Sequence, residues 1–214
     1  MEAKRLAEAQ SIIRALYHLH FEPSQRPEAE ALAADLDLAL PRMMRTLHQP
    51  GLPAPVALYL PATPVADDEP APLHTLLRAF ADDLLALRSA AKPAGWRWDE
   101  APAWFRQGYL DYLALATLEP EVRDEVIEQC RDLVRAQPEL IEADETDFRL
   151  LDDQVGGLVL VAFFHFHWGR YAGLQLLESP EPTLTAAMEA VFGLTPPQIH
   201  EVCFSYLFSP FHEH

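Results

Sequence analysis

The sequence predicts an all-α protein, a single helical domain of about seven to nine helices over residues 1–214. Apolar residues recur at helical spacing along most of the chain, and prolines and glycines separate these stretches. Half of the residues are hydrophobic and 23% are charged, as is typical of a globular domain. Seven prolines exclude a helix over 50–72. We therefore expect an N-terminal helical hairpin over 1–49, a proline-rich extended connector near 50–72 and a main helical bundle over 73–214.

The N-terminal hairpin is predicted from two apolar stripes. The first helix is expected over 3–20, with Ile13, Tyr17 and His20 among the residues on its apolar side. A second helix is expected to begin at Pro27 and reach residue 47, and the proline at position 41 predicts a kink or a break. Alternating apolar residues over 56–60 indicate a short edge strand or an extended segment packed on the core.

The main bundle is predicted to contain six helices, over 73–91, 101–118, 120–137, 146–177, 182–193 and 196–209. Asp99 is the expected N-cap of the second of these, and Gly193 closes the fifth. An acidic loop is expected over 138–147. The long helix could break at the Gly156–Gly157 pair.

The charge balance narrows the range of partners. The chain carries 33 Asp or Glu against 16 Lys or Arg, a formal net charge of −17. Such a field repels nucleic acid and anionic membranes and favours a basic partner. Residues 119–153 hold 13 of the acids and 4 arginines, so more than half of the excess negative charge lies in this segment. Solubility alone also explains such a surface, and both interpretations stay open.

The acidic face of the helix over 120–137 is the first candidate site. Its expected buried stripe consists of Val122, Val126, Cys130, Leu133 and Val134. The predicted partner-binding face lies opposite, at about 100° per residue, and consists of Glu121, Asp124, Glu125, Glu128 and Asp132. Three like-charged pairs four residues apart weaken this helix. A helix that tolerates such repulsion either uses its acids for binding or simply exposes them to solvent.

Standard catalytic signatures are missing from the sequence. There is no G-x-S-x-G, P-loop, G-x-G-x-x-G, H-E-x-x-H or Glu-x-x-His motif. The two cysteines lie far apart on apolar helical patterns, as is typical of buried thiols in a reducing compartment. Neither a secretory signal nor an apolar stretch long enough to cross a bilayer is present. We expect a cytoplasmic protein that carries no cofactor and is not an enzyme, while an enzyme of unfamiliar type, with no residue constellation behind it, stays open as a third interpretation.

Histidines form three His-x-His pairs, at His18/His20, His165/His167 and His212/His214. In a strand, such a pair presents both rings on one face and chelates a metal ion well. In a helix the two rings point about 200° apart, so each pair offers one inward ligand at most. Because helices are predicted for the first two pairs, the chelate interpretation is weak there.

His20 and His165 are the inward candidates. His20 lies on the apolar side of the first predicted helix, and His165 shares a face with small residues that include Gly169 and Gly173. Small residues let another helix or a flat ligand approach closely. An imidazole in such a groove could ligate haem or a transition metal ion. The alternative is a core histidine bonded to a carbonyl and to a hydroxyl or carboxylate.

Arg170 follows the same groove. In an apolar helix it needs a carboxylate partner, and Asp152, Asp153 or the Asp82–Asp83 pair could supply one. The alternative makes Arg170 an anchor for an anionic ligand beside His165.

The favoured function is therefore that of a regulator, inhibitor or immunity-type protein that binds a basic macromolecular partner, without direct contact to nucleic acid or membrane. In composition the chain resembles acidic helical proteins that neutralise basic partners, such as immunity proteins, antitoxins and inhibitors that mimic nucleic acid. The alternative is a helical ligand- or cofactor-binding protein in which a buried histidine holds haem, a metal ion or an anionic small molecule.

Overall fold

The computed structural model describes residues 10–60, 71–144 and 146–208. The described part of the chain is mainly helical, with 65% of its residues in helices and 10% in strands, which confirms the coarser part of the prediction. Five short strands in the described ranges mean that the all-α class was too strict. None of the described helices combines the length and the hydropathy that a bilayer crossing requires.

The part of the chain that the structure describes contains eight α-helices: α1 Arg26–Thr46, α2 Pro72–Ala90, α3 Ala103–Leu115, α4 Pro120–Ala136, α5 Asp153–His167, α6 Ala172–Glu178, α7 Leu184–Phe192 and α8 Pro196–Leu207. The strands are β1 Gln10–Ile13, β2 Tyr17–Phe21, β3 Val56–Tyr59, β4 Ile141–Ala143 and β5 Phe148–Leu150.

The chain divides into two compact units. The first consists of Met1–Leu84 and Leu113–Leu118, and the second of Leu85–Tyr112 and Glu119–His214. The expected single domain over 1–214 stays a prediction, because compact units of this kind occur both within and between domains.

The predicted first helix is wrong over its described residues, because the chain forms a β-hairpin there. Strand β1 pairs with β2 in antiparallel order, and β3 joins β2 in parallel order. Tyr17, Leu19 and Phe21 are buried while His18 and His20 are half-buried, so burial alternates with the two-residue period of a strand. The N-terminal helical hairpin predicted over 1–49 is therefore wrong over 10–49, where two strands precede a single long helix. Residues 3–9 lie outside the described residues.

Helix α1 confirms the second predicted helix but contains no break at Pro41. Leu36, Leu40 and Met43 are almost fully buried on both sides of the proline. Packing of both halves on one core holds the helix together despite the missing backbone donor. The alternating segment after it forms β3, with Val56 and Leu58 buried, which confirms the extended segment expected within the connector.

In the second unit a β-hairpin replaces part of the predicted acidic loop. Strands β4 and β5 pair where a loop over 138–147 and the start of a long helix were expected. Helix α5 begins later, after Asp152, whose carboxylate accepts hydrogen bonds from the backbone N–H groups of Gln154 and Val155 at 2.9 and 3.0 Å. Asp99 does not cap α3, because it lies in a 3₁₀ turn at Trp98–Glu100.

The long predicted helix breaks at Gly169, which has a positive φ of 95°, and not at the Gly156–Gly157 pair. That pair instead permits close packing. A Cβ on Gly157 would lie 2.2 Å from the backbone oxygen of Trp104, and one on Gly108 would lie 2.2 Å from the backbone of Gly157. The backbones of α3 and α5 therefore touch at this crossing. The helix closed by Gly193 and the last helix, α8, are confirmed.

Candidate functional site

Helix α4 is rotated about its axis relative to the sequence prediction. Its buried residues are Ile127 and Val134, whereas Val122 and Leu133, which were expected inside, are 47% and 48% exposed. At 100° per residue, the centre of burial has moved by roughly 80° around the helix. The predicted buried stripe is therefore wrong in part. Arginines close to the buried side contribute apolar stems there, which a count of apolar residues overlooks.

The five acids of the predicted partner-binding face have different surroundings. Glu121, Asp124, Glu125 and Asp132 are exposed, whereas Glu128 is half-buried. Within α4, three acids pair with arginines: Asp124 with Arg123 at 2.8 Å, Asp132 with Arg135 at 2.7 Å, and Glu128 with both Arg131 at 3.1 Å and Arg135 at 2.6 Å.

The ionisation of Glu128 reflects its arginine partners. Partial burial raises its pKa, but the hydrogen bonds and charges of Arg135 and Arg131 outweigh burial and hold the pKa below the ordinary value. Glu128 is therefore held by arginines of its own helix, whereas Glu121 and Glu125 are exposed and Glu125 accepts a hydrogen bond from Gln129 at 3.4 Å.

One side of α4 combines acids with exposed apolar residues. We call it the outer face and define it by Glu121, Val122, Glu125, Asp132 and Leu133. These residues span about 120° of the helix surface, and all five are exposed. An apolar pair three turns apart within an acidic rim is typical of a docking surface.

The other side of α4 borders a pocket of about 690 Å³ in the second unit. The pocket is formed by the end of α3, by α4, α5 and α8. Its lining consists of Tyr112, Arg123, Asp124, Ile127, Glu128, Arg131, Ala162, His165, Phe166 and Tyr206. The Arg123 and Arg131 side chains are 32% and 18% exposed, and the Arg131 guanidinium lies over the Tyr206 ring at 5.2 Å. Two partly buried cations, each paired with a carboxylate, thus line the pocket together with aromatic side chains.

His165 is a buried residue of the pocket lining. Its Nδ1–H donates to the backbone oxygen of Arg170 at 3.0 Å, and its ring stacks on Tyr112 with centroids 4.1 Å apart. Burial lowers the pKa of His165 to about 4, so the imidazole is neutral at physiological pH. Within the described chain Nε2 has no hydrogen-bond partner. It lies beside Gly173, 3.1 Å from the place of a Cβ.

The predicted small-residue groove beside His165 is filled. A Cβ on Gly173 would lie 2.5 Å from the Tyr109 ring, so this glycine lets the aromatic ring pack against the backbone. His165 Nε2 is buried close to Gly173, and the ligand predictions for this atom stay predictions.

Arg170 and His20 are not part of this pocket. Arg170 is exposed, and its guanidinium lies 4.6 Å from the centroid of the Tyr171 ring. The predicted buried ion pair of Arg170 is therefore wrong. His20 belongs to the first unit, where it lies on β2 and stacks on Tyr59 with centroids 4.9 Å apart.

Sequence reasoning missed the two pocket arginines and Tyr206. The available signal was the spacing of Arg123 and Arg131, which lie eight residues apart and about 80° apart around α4. The pocket itself joins four helices that are distant in sequence.

No group of three or more His, Cys, Asp or Glu side chains within the described ranges is placed to hold a metal ion. Comparison of the chain with protein-family models, with curated proteins and with solved structures gives no match.

Proposed function

We propose that the chain is a non-enzymatic binding protein of the cytoplasm that docks a basic protein partner through the outer face of α4. The observation that carries the proposal is the exposure of Val122 and Leu133 beside three acids. Apolar area supplies affinity when it is buried, and the surrounding charges discriminate between partners.

The charge of the whole chain supports a basic protein over nucleic acid or membrane. A net charge of −17 repels phosphate backbones and anionic lipids at long range and attracts a basic surface. Within α4 the acids that remain for a partner are mainly Glu121 and Glu125, because Asp124, Glu128 and Asp132 contact arginines of the same helix. Association should accordingly be fast at low salt and slower at high salt.

The test compares two charge reversals of equal size. Reversal of Glu121, Glu125 and Asp132 to Lys changes the outer face, and reversal of Glu28, Glu30 and Asp35 to Lys makes the same change on exposed positions of α1. Purified proteins are immobilised, and the proteins that they retain from a lysate are quantified. We expect retention of basic proteins to fall at least about tenfold for the α4 variant alone.

A further variant separates charge from apolar contact. Val122→Ser with Leu133→Ser keeps every charge and should also weaken retention. If the α1 and α4 reversals reduced the retention of basic proteins equally, only the net charge of the chain would matter, and docking at α4 would be contradicted.

As a second candidate function, we propose that the pocket behind α4 binds a small aromatic anion. The observation in its favour is that Arg123 and Arg131, each paired with a lining carboxylate, border the pocket together with three aromatic rings, those of Tyr112, Phe166 and Tyr206. A guanidinium recognises a carboxylate or phosphate, and the rings stack on an aromatic group. Of the ligands considered for a buried histidine, the anion agrees best with this lining, since two arginines line the pocket and His165 Nε2 is buried close to Gly173.

Thermal stability in the presence of ligands tests the second candidate. Aromatic carboxylates and phosphates are compared with aromatic amines of the same ring. The expected result is stabilisation by the anions only, lost in Arg123→Gln and kept in Arg149→Gln, whose arginine is 74% exposed outside the pocket.

The metal and haem alternatives are tested on untagged protein. Elemental analysis detects a bound metal ion, and the absorption spectrum detects a bound haem. A bound species that survives His165→Ala would exclude His165 as its ligand.

A further inference from the structure

The correction of the first predicted helix to strands changes the chemistry of one histidine pair. His18 and His20 lie on β2 at positions i and i+2, so both side chains leave the same face of the sheet. Tyr17, Leu19 and Phe21 occupy the buried face, and the two histidines are half-buried on the other. The pair therefore has the arrangement that a helix could not provide.

The spacing of the two residues suits chelation. Residues i and i+2 of a strand are about 6.6 Å apart along the backbone. A tetrahedral ion with metal–nitrogen bonds of about 2.0 Å holds two imidazole nitrogens about 3.3 Å apart. Two rings on neighbouring outward positions reach that separation by leaning toward each other, without a change in the strand.

Both imidazoles are available to bind a metal ion, and the orientation of the His20 ring is restrained. Within the described chain neither ring takes part in a hydrogen bond or an ion pair. The directly paired outward positions on the flanking strands are Ser11 and Ile13 of β1 and Ala57 and Tyr59 of β3, so none is charged. Stacking of Tyr59 on the His20 ring at an interplanar angle of 19° restricts the rotation of that imidazole. Such support of a ligand ring favours binding.

We propose that His18 and His20 form a surface site for one divalent transition-metal ion, Zn²⁺ or Cu²⁺. Neutral imidazole donors favour these ions over Ca²⁺ and Mg²⁺, which prefer oxygen ligands. Solvent water completes the coordination shell. The site belongs to the first unit, whereas the outer face of α4 and the pocket belong to the second.

The other histidine pairs do not offer the same geometry. His165 and His167 lie on a helix, where His165 is buried with Nδ1 bonded to a carbonyl and His167 is exposed. His212 and His214 lie outside the described residues and must be removed as competitors in any test. The full chain carrying His212→Gln and His214→Gln is therefore the reference protein.

Calorimetric titration with Zn²⁺ alone tests the proposal on the full chain. The reference protein should bind one ion. His18→Gln and His20→Gln should each weaken binding at least about tenfold, because loss of a ligand costs no less than loss of an outer-shell partner. His167→Gln, which removes one exposed histidine from a helix, should leave affinity unchanged. Circular dichroism verifies that each variant keeps its fold.

Nuclear magnetic resonance with Cu²⁺ provides a second measurement. Substoichiometric Cu²⁺ should broaden first the signals of His18, His20 and Tyr59. Full affinity in either single variant, or broadening centred elsewhere, would overturn the proposal.

Discussion

At Gly157 the backbones of α3 and α5 come so close that a side chain has no room. Substitution Gly157→Ala should lower the free energy of unfolding by roughly 1–3 kcal/mol, because the new Cβ meets backbone atoms that cannot rotate away. The gain in helix propensity of about 1 kcal/mol offsets this only in part. Urea unfolding provides the measurement. Gly51→Ala is the matched control, since nothing lies within 4 Å of its Cβ position, and an equal loss there would contradict the steric explanation.

His165 should make the protein sensitive to mild acid. Its folded pKa of about 4 lies below the ordinary 6.5, so below about pH 6.5 the unfolded chain gains a proton that the folded chain does not. Stability from this residue is present above pH 6.5 and is lost as the pH falls toward 4. Between pH 7 and pH 5 the loss is about 2 kcal/mol. His74, with a pKa also lowered to about 4 by burial, adds a similar dependence.

Urea unfolding of His165→Phe at both pH values isolates the contribution of His165. Phenylalanine keeps a ring against Tyr112 but binds no proton. The difference in unfolding free energy between pH 7 and pH 5 should shrink by about 2 kcal/mol relative to the wild type. An unchanged difference would show that His165 is protonated in the folded state.

At the scale of elements, helix α5 depends on its N-cap. Asp152→Ala should lower the free energy of unfolding by about 1 kcal/mol, because the backbone N–H groups of Gln154 and Val155 lose their acceptor. Asp152→Ser should restore most of the loss, as serine is also an N-cap residue. Thermal or urea unfolding measures both. If serine and alanine behaved alike, the cap would be unimportant.

Sequence periodicity predicted long elements well and short ones poorly. Helices α1, α2, α4 and α8 agree with their predicted ranges to within a few residues, because each carries several turns of apolar spacing. Over 10–21 the apolar residues satisfy both a helical and an alternating pattern, and pairing between strands, β1 with β2 and β2 with β3, decides for the strand. Strands β4 and β5 have three residues each, too few to show a period.

The candidate site was predictable only in its solvent-facing half. Glu121 and Glu125 are exposed as the helical wheel indicates. The rotation of α4 toward Ile127 and the pocket lined by Arg131 and Tyr206 depend on how distant helices pack, which no local pattern contains.

At the scale of the whole molecule, the net charge of −17 should weaken the folded state at low salt. Like charges repel over about 30 Å at 0.01 M ionic strength but over only about 8 Å at 0.15 M. We expect the melting temperature to rise between these two sodium chloride concentrations, measured by calorimetry. The triple reversal of Glu121, Glu125 and Asp132 to Lys reduces the net charge and should reduce the rise. If the melting temperature of that variant rose by the same amount, the rise would be due to a non-electrostatic effect of the salt.

The parallel pairing of β2 and β3 has a consequence for the kinetics of folding. The chain must complete α1 and return before β3 can reach β2, so this sheet closes over a long loop. Loop closure of this kind is entropically costly and slow compared with the formation of a hairpin. The β1–β2 hairpin should therefore form early, and β3 should pair with β2 in a later step. The His20–Tyr59 stack, which requires β3, would then report on the last step in the assembly of the sheet.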